Sequence, residues 1–270
     1  MTNTIPAVVP PLPHDSSLNR HYAPAVAFHW LALGWRDLLI RPAASLLYGL
    51  AVFVVSAAVV VGLFAFGWDF ILFPAFAGFM VVGPILAIGL YEKSRRLATG
   101  EPVSLTSMIL VHPASGGQIL FTGVLLCLLM LLWMLMLLWM RATVIIYVLF
   151  FGLLPFPGLQ HIAAVLFGTP SGWALLSVDT AVGALFAAFS FAISAFSIPM
   201  LLEERTDALT AMATSIALVW NNPPVMLAWG AIVLGLFLVS LAAGLLGLIV
   251  VFPLLGHGTW HAYHAIRRVV

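Results

Sequence analysis

His257, His261 and His264 are the densest group of side chains in the chain that could do chemistry. Spacings of four and three residues place them on one helical stripe. Two histidines at i and i+4 can chelate Zn²⁺ or Cu²⁺. A complete metal site needs more ligands, and Glu92 and His29 are available near the same side. The plainer reading is a histidine stripe at the edge of a membrane, hydrogen-bonded to backbone or lipid headgroups. We prefer that reading, so no metal and no cofactor is expected. Haem held by two histidines would need a second histidine on a facing segment. His112 and His161 both fall in connections, and no other apolar segment carries a histidine.

Other chemistries have less to stand on. No nucleophile–base set, phosphate-binding loop or pair of opposed carboxylates stands out, so no catalytic residue is assigned and the chain reads as a non-enzyme. Glu203-Glu204 reads as a solvated turn. Cys127 is the only cysteine, which excludes a disulfide within the chain and a cysteine-based metal centre. Gly244-Leu245-Leu246-Gly247 suits close helix packing better than nucleotide binding. Arg141 and Asp179 fall at similar depth on consecutive apolar segments, which makes them a candidate intramembrane pair.

The elements that position these residues are apolar helices. Of the 270 residues 63% are hydrophobic and only 7% charged, against about 25% charged in a soluble domain. Uncharged runs of about 20 residues recur, each long enough for a ~30 Å hydrocarbon core at ~1.5 Å per residue. Six crossings are expected, at about 43–66, 71–91, 117–140, 173–202, 224–241 and 245–266. They pair into three hairpins. Each hairpin is preceded by a short amphipathic helix that ends at a proline: Ala25–Ile40 before Arg41-Pro42, Leu105–Val111 before His112-Pro113, and the segment after Asp207 before Asn222-Pro223. The residue before proline is biased out of the α region, and proline suits the first turn of the next helix. In the first short helix His29, Arg36 and Asp37 are expected on one polar side. Residues 1–22, rich in proline and without the basic start and apolar core of a signal peptide, read as a disordered cytoplasmic tail. Residues 23–270 read as one polytopic transmembrane domain.

Orientation follows from basic residues at the crossing ends. Arg36, Arg41, Lys93, Arg95, Arg96, Arg267 and Arg268 all fall on one side of the six-crossing arrangement, and Arg141 alone on the other. Both termini are therefore expected in the cytoplasm.

Several segments together resemble an uncharacterised bacterial membrane-protein family, domain of unknown function 2189. They are Gly34-Trp35-Arg36-Asp37, Arg41 through Gly49, Gly83-Pro84, Gly89-Leu90-Tyr91-Glu92, Ser94-Arg95-Arg96 and Pro253 through Tyr263. The resemblance implies a multi-pass inner-membrane protein and carries no established activity. Some members bear a label relating them to cytochrome oxidase subunits. The histidines here do not support an electron-transfer role. Two functions fit what remains. One is a non-enzymatic accessory or assembly partner of another membrane complex, and the other a small-solute transporter or channel. The partners implied are the lipid bilayer and another membrane protein or a second copy. Nothing suggests nucleic acid.

Overall fold

The computed structural model describes residues 18–68, 72–114, 117–119, 121, 149 and 167–267. Among them all regular structure is helical: α1 (Val26–Leu39), α2 (Pro42–Ala65), α3 (Leu72–Leu86), α4 (Ile88–Thr99), α5 (Leu105–Ile109), α6 (Pro170–Glu203), α7 (Ala208–Asn221), α8 (Pro223–Ala242) and α9 (Leu248–Arg267).

Among the described residues two helices are long and apolar enough to cross a membrane, α2 with 24 residues and α8 with 20. Only 11% and 28% of their apolar windows are buried inside the protein. The core helix of a soluble protein would be mostly buried, so these side chains are built to face lipid or another apolar surface. Of the other expected crossings, 71–91 is split between α3 and α4 at Ala87, just beyond Pro84. The segment 173–202 lies inside α6. All but residues 117–119 and 121 of the segment 117–140 falls outside the described residues.

The short helices before the prolines are present as α1, α5 and α7. Arg41 ends the first connection in the left-handed region (φ 52°), and Pro42 takes the first turn of α2. Ser104 caps α5 in a box with Ser107. Asp207 caps α7 by accepting from the Thr210 amide at 3.0 Å, and Pro223 opens α8 directly after Asn222. The polarity of α1 departs from the expectation. Ala27, Trp30, Gly34, Asp37 and Leu38 are buried, while Phe28, His29, Trp35, Arg36 and Leu39 face out. Asp37 is one residue, about 100°, further round than Arg36, and that step carries it into the helix interface.

The organising helix is α9, which packs on α1, α2, α4, α6 and α8. It approaches α1 and α2 backbone to backbone. A Cβ on Gly34 would lie 2.6 Å from the Gly258 nitrogen, and one on Gly49 2.2 Å from the Ile249 carbonyl oxygen. Small residues permit that approach where helices must touch without a hydrophobic driving force. Elsewhere α6 and α7 are joined by Ser215. Its hydroxyl accepts from the Phe196 amide at 3.1 Å and donates to the Ala192 carbonyl at 2.7 Å, within the turns preceding Pro199.

The tail expected over 1–22 is described from Leu18, and Leu18–Tyr22 is docked rather than free. The Asn222 side chain accepts from the Arg20 amide at 2.9 Å and donates to the Leu18 carbonyl at 2.8 Å. Arg20 Nε and Tyr22 Oη donate to the Ile266 and Ala265 carbonyls at 3.0 and 3.1 Å.

Candidate functional site

Four helices bring ionisable and hydroxyl side chains together at one end of the bundle. From α1 comes Asp37, from α2 Ser45, from α4 Lys93 and Ser94, and from α9 His257 and His261. All but His261 are buried, Lys93 and His257 completely. Lys93 Nζ lies 2.7 Å from Ser45 Oγ, and Ser45 Oγ lies 3.0 Å from His257 Nε2. The other ring nitrogen, His257 Nδ1, lies 2.8 Å from Ser94 Oγ. Ser94 donates to Asp37 Oδ2 at 2.7 Å, and His261 Nε2 reaches the same oxygen at 2.9 Å.

Counting protons gives this chain one direction. An ammonium only donates and a carboxylate only accepts. Ser45 therefore accepts from Lys93 and passes its own proton to Nε2, while Ser94 passes its proton to Asp37 and accepts from Nδ1–H. His257 is thus neutral and protonated on Nδ1. The order is Lys93, Ser45, His257, Ser94, Asp37, with His261 closing the far end. Every polar atom so joined is satisfied, which is the condition for burying such a network without a large penalty.

Charge at the two ends follows from the same contacts. Burial raises the pKa of Asp37, but the hydrogen bonds from His261 and Ser94 outweigh it and hold the carboxyl below its ordinary range. Burial pulls the Lys93 ammonium down to about 8, against the opposite pull of Asp37.

Two further clusters flank the first. Glu92, 1% exposed, is held by Arg95 through Nε and Nη2, both at 2.8 Å, and by Arg96 Nε at 2.6 Å. Glu204 takes Arg267 in a bidentate pair at 2.9 Å and accepts from Tyr263 Oη at 2.7 Å, while His264 meets Glu203 at 3.1 Å. Glu203-Glu204 is therefore not a solvated turn. It anchors the C-terminal end of α9.

The histidine stripe is real, but its members face different partners: His257 two serines, His261 an aspartate, His264 a glutamate. Glu92, considered as a fourth ligand, is committed to two arginines. Among the described residues no group of three His, Cys, Asp or Glu side chains could hold a metal ion. The topology-setting basic residues divide. Arg36 is exposed. Arg41 is exposed too, its guanidinium donating to the Val103 carbonyl. Lys93 is fully buried, because α4 is covered by α5, α6 and α9. Arg268, Arg141 and the side chain of Asp179 lie outside the described residues, and so does the pair the latter two were expected to form.

A cavity of about 630 Å³ opens between α2 and α3. Its walls are apolar, with Val52, Val55 and Val59 on one side, Phe76 and Phe79 on the other, and Leu245 near the tip of the α8–α9 turn. None of Asp37, Glu92, Lys93 or His257 lines it.

Residues 72–203 match the family described as predicted integral membrane protein (DUF2189). The resemblance read from Gly83-Pro84, Gly89 through Glu92 and Ser94-Arg95-Arg96 holds over that stretch. The other three resembling segments, Gly34-Trp35-Arg36-Asp37, Arg41 through Gly49 and Pro253 through Tyr263, lie outside it. Comparison with curated proteins found no match, and comparison with solved structures found none. The segments that carried the resemblance are those that meet in the buried cluster. Asp37, Ser45, Ser94, His257 and His261 all sit in them, and Lys93 falls between two. Reading each segment alone could not show that they touch.

Proposed function

We propose that this protein is a non-enzymatic, multi-pass membrane protein that assembles with another membrane protein, or with a second copy of itself, through the apolar flank of α2 and α3. One observation carries the reading: among the described residues the charged side chains and the cavity are separate. A transporter or channel for a polar solute needs ionisable groups facing a water-filled path. Here the charged groups described satisfy one another in a closed cluster, and the cavity offers mostly apolar walls. The charged cluster then serves to lock α1, α2, α4 and α9 into one unit, and the outward faces of α2 are left for a partner. Val55 and Val59, 65% and 51% exposed, are on that flank.

The same reading places both termini in the cytoplasm of a bacterial cell, with the bundle in the inner membrane. Arg20, Arg41, Arg95, Arg96 and Arg267 gather at the end of the bundle that holds the buried cluster, which is the arrangement that the excess of basic residues on the cytoplasmic side favours.

Affinity purification from native membranes in mild detergent tests the proposal. A partner in fixed stoichiometry is expected, lost in Val55→Trp/Val59→Trp while the variant stays folded. A lone monodisperse chain whose thermal stability rises with a small solute would favour the transporter reading instead.

A further inference from the structure

The α8–α9 hairpin is shorter than its neighbours when all are measured from contacts that fix their register. Ser45 of α2 bonds His257 of α9 at 3.0 Å. From Ser45, α2 continues 65 − 45 = 20 residues to Ala65, roughly 30 Å at helical rise. From His257, α9 runs back 257 − 248 = 9 residues to Leu248, roughly 14 Å, and the turn adds at most about one helical pitch, for a total near 19 Å.

Two independent contacts give the same result. Gly256 of α9 lies against Leu90 of α4, where a Cβ would come within 2.7 Å. From Leu90 the chain spans 90 − 72 = 18 residues back to Leu72, roughly 27 Å. Gly258 lies against Trp229 of α8, where a Cβ would come within 2.6 Å. From Trp229, α8 extends 242 − 229 = 13 residues to Ala242, roughly 20 Å. Measured from these contacts, both arms of the hairpin therefore stop about 10 Å short of the reach of α2 and α3.

The chemistry of the turn agrees. From Leu241 to Phe252 there is no charged, amide or hydroxyl side chain. Leu246 is 58% exposed, and Ala242, Ala243 and Gly244 are exposed beside it. A turn that reached water would have little reason to present leucine to it. The α2–α3 connection, by contrast, carries Trp68, 54% exposed, followed by Asp69, residue types suited to the headgroup layer. Backbone in hydrocarbon must find its hydrogen bonds within the protein. The amides of Ala243, Gly244, Leu245, Leu246, Leu248 and Ile249 all donate to carbonyls of the hairpin itself, at 2.8 to 3.3 Å.

We propose that α8 and α9 form a re-entrant hairpin whose tip, residues 242–247, ends inside the bilayer and contacts lipid acyl chains rather than water. The segments 224–241 and 245–266 then enter and leave on the side of the buried polar cluster, and both termini stay on one side.

The test uses the full chain in sealed proteoliposomes with Cys127→Ala, which removes the only native cysteine. Ala243→Cys should stay at background labelling with a membrane-impermeant maleimide added on either side, and react once detergent is added. Trp68→Cys should label from one side. A spin label at Ala243→Cys should collide with oxygen and not with a water-soluble nickel chelate, at a depth about 10 Å inside the far boundary of the core. Maleimide labelling of Ala243→Cys from the same side as Trp68→Cys, or nickel accessibility at the tip, would overturn the proposal. Leu246→Cys provides the same two readouts if Ala243→Cys does not accumulate.

Discussion

Replacing Asp37 with alanine removes the acceptor on which the buried cluster converges. Ser94 and His261 both donate to its Oδ2, at 2.7 and 2.9 Å. Hydrogen bonds to a charged group are worth about 1.5–3 kcal/mol each, so two give about 3–6 kcal/mol, reduced by the desolvation that the carboxylate no longer bears. Removing one partner from a buried charge system costs about 3–5 kcal/mol, because its counterparts are left uncompensated. The expected destabilisation of Asp37→Ala is therefore about 3–4 kcal/mol. Adding Lys93→Met should cost less than the sum of the single changes, since the double variant buries neither charge. Reversible unfolding in mixed micelles, followed by tryptophan fluorescence, measures both. A loss within the ~0.5 kcal/mol typical of surface substitutions, or strict additivity, would refute the idea that these groups form one buried unit.

Three further outcomes follow from the same geometry. The pKa of Lys93 is depressed to about 8 in the fold, so between that pH and the ordinary lysine value of about 10.4 the unfolded chain binds more protons. Stability contributed by this group should therefore rise with pH across that window, and the rise should vanish in Lys93→Met; a slope unchanged by the substitution would show the ammonium to be solvated. Gly49→Ala places a Cβ 2.2 Å from the Ile249 carbonyl oxygen and should cost about 1–3 kcal/mol by forcing α2 from α9; a neutral result in the same unfolding assay would contradict the backbone contact. Purified protein should carry neither haem nor a stoichiometric metal, since each stripe histidine has its own side-chain partner; a haem absorption band, or one equivalent of metal that disappears in His257→Ala, would reverse that assignment.

How much of this was legible in the chain depended on whether the signal was local. Proline after a short helix is a local signal, and α1, α5 and α7 stand where Arg41-Pro42, His112-Pro113 and Asn222-Pro223 placed them. Hydropathy over a window is local too, and it marked α2 and α8. The histidine stripe was visible for the same reason. Its meaning was not, because His257 finds Ser45 and Ser94 at separations of 212 and 163 residues, and His261 finds Asp37 at 224. In the sequence Lys93 stands with Arg95 and Arg96 as one group of topology-setting basic residues. Consecutive helical residues point about 100° apart, so one member of a basic run can be buried while its neighbours pair at the surface. Hairpin length was equally hidden: the α8–α9 hairpin is uncharged and long enough to span, and only its register against α2 and α4 shows how far it reaches.

We propose that the protein works by assembly in the membrane while its charged groups lock its own helices. The most direct test is the mass of the particle released from native membranes in polymer-bounded nanodiscs, without detergent exchange. A single species containing this chain with a partner, or with a second copy, in integer ratio is expected, collapsing to one chain in Val55→Trp/Val59→Trp. A particle holding one copy alone in the unmodified protein, which moves a solute across reconstituted vesicles, would contradict it.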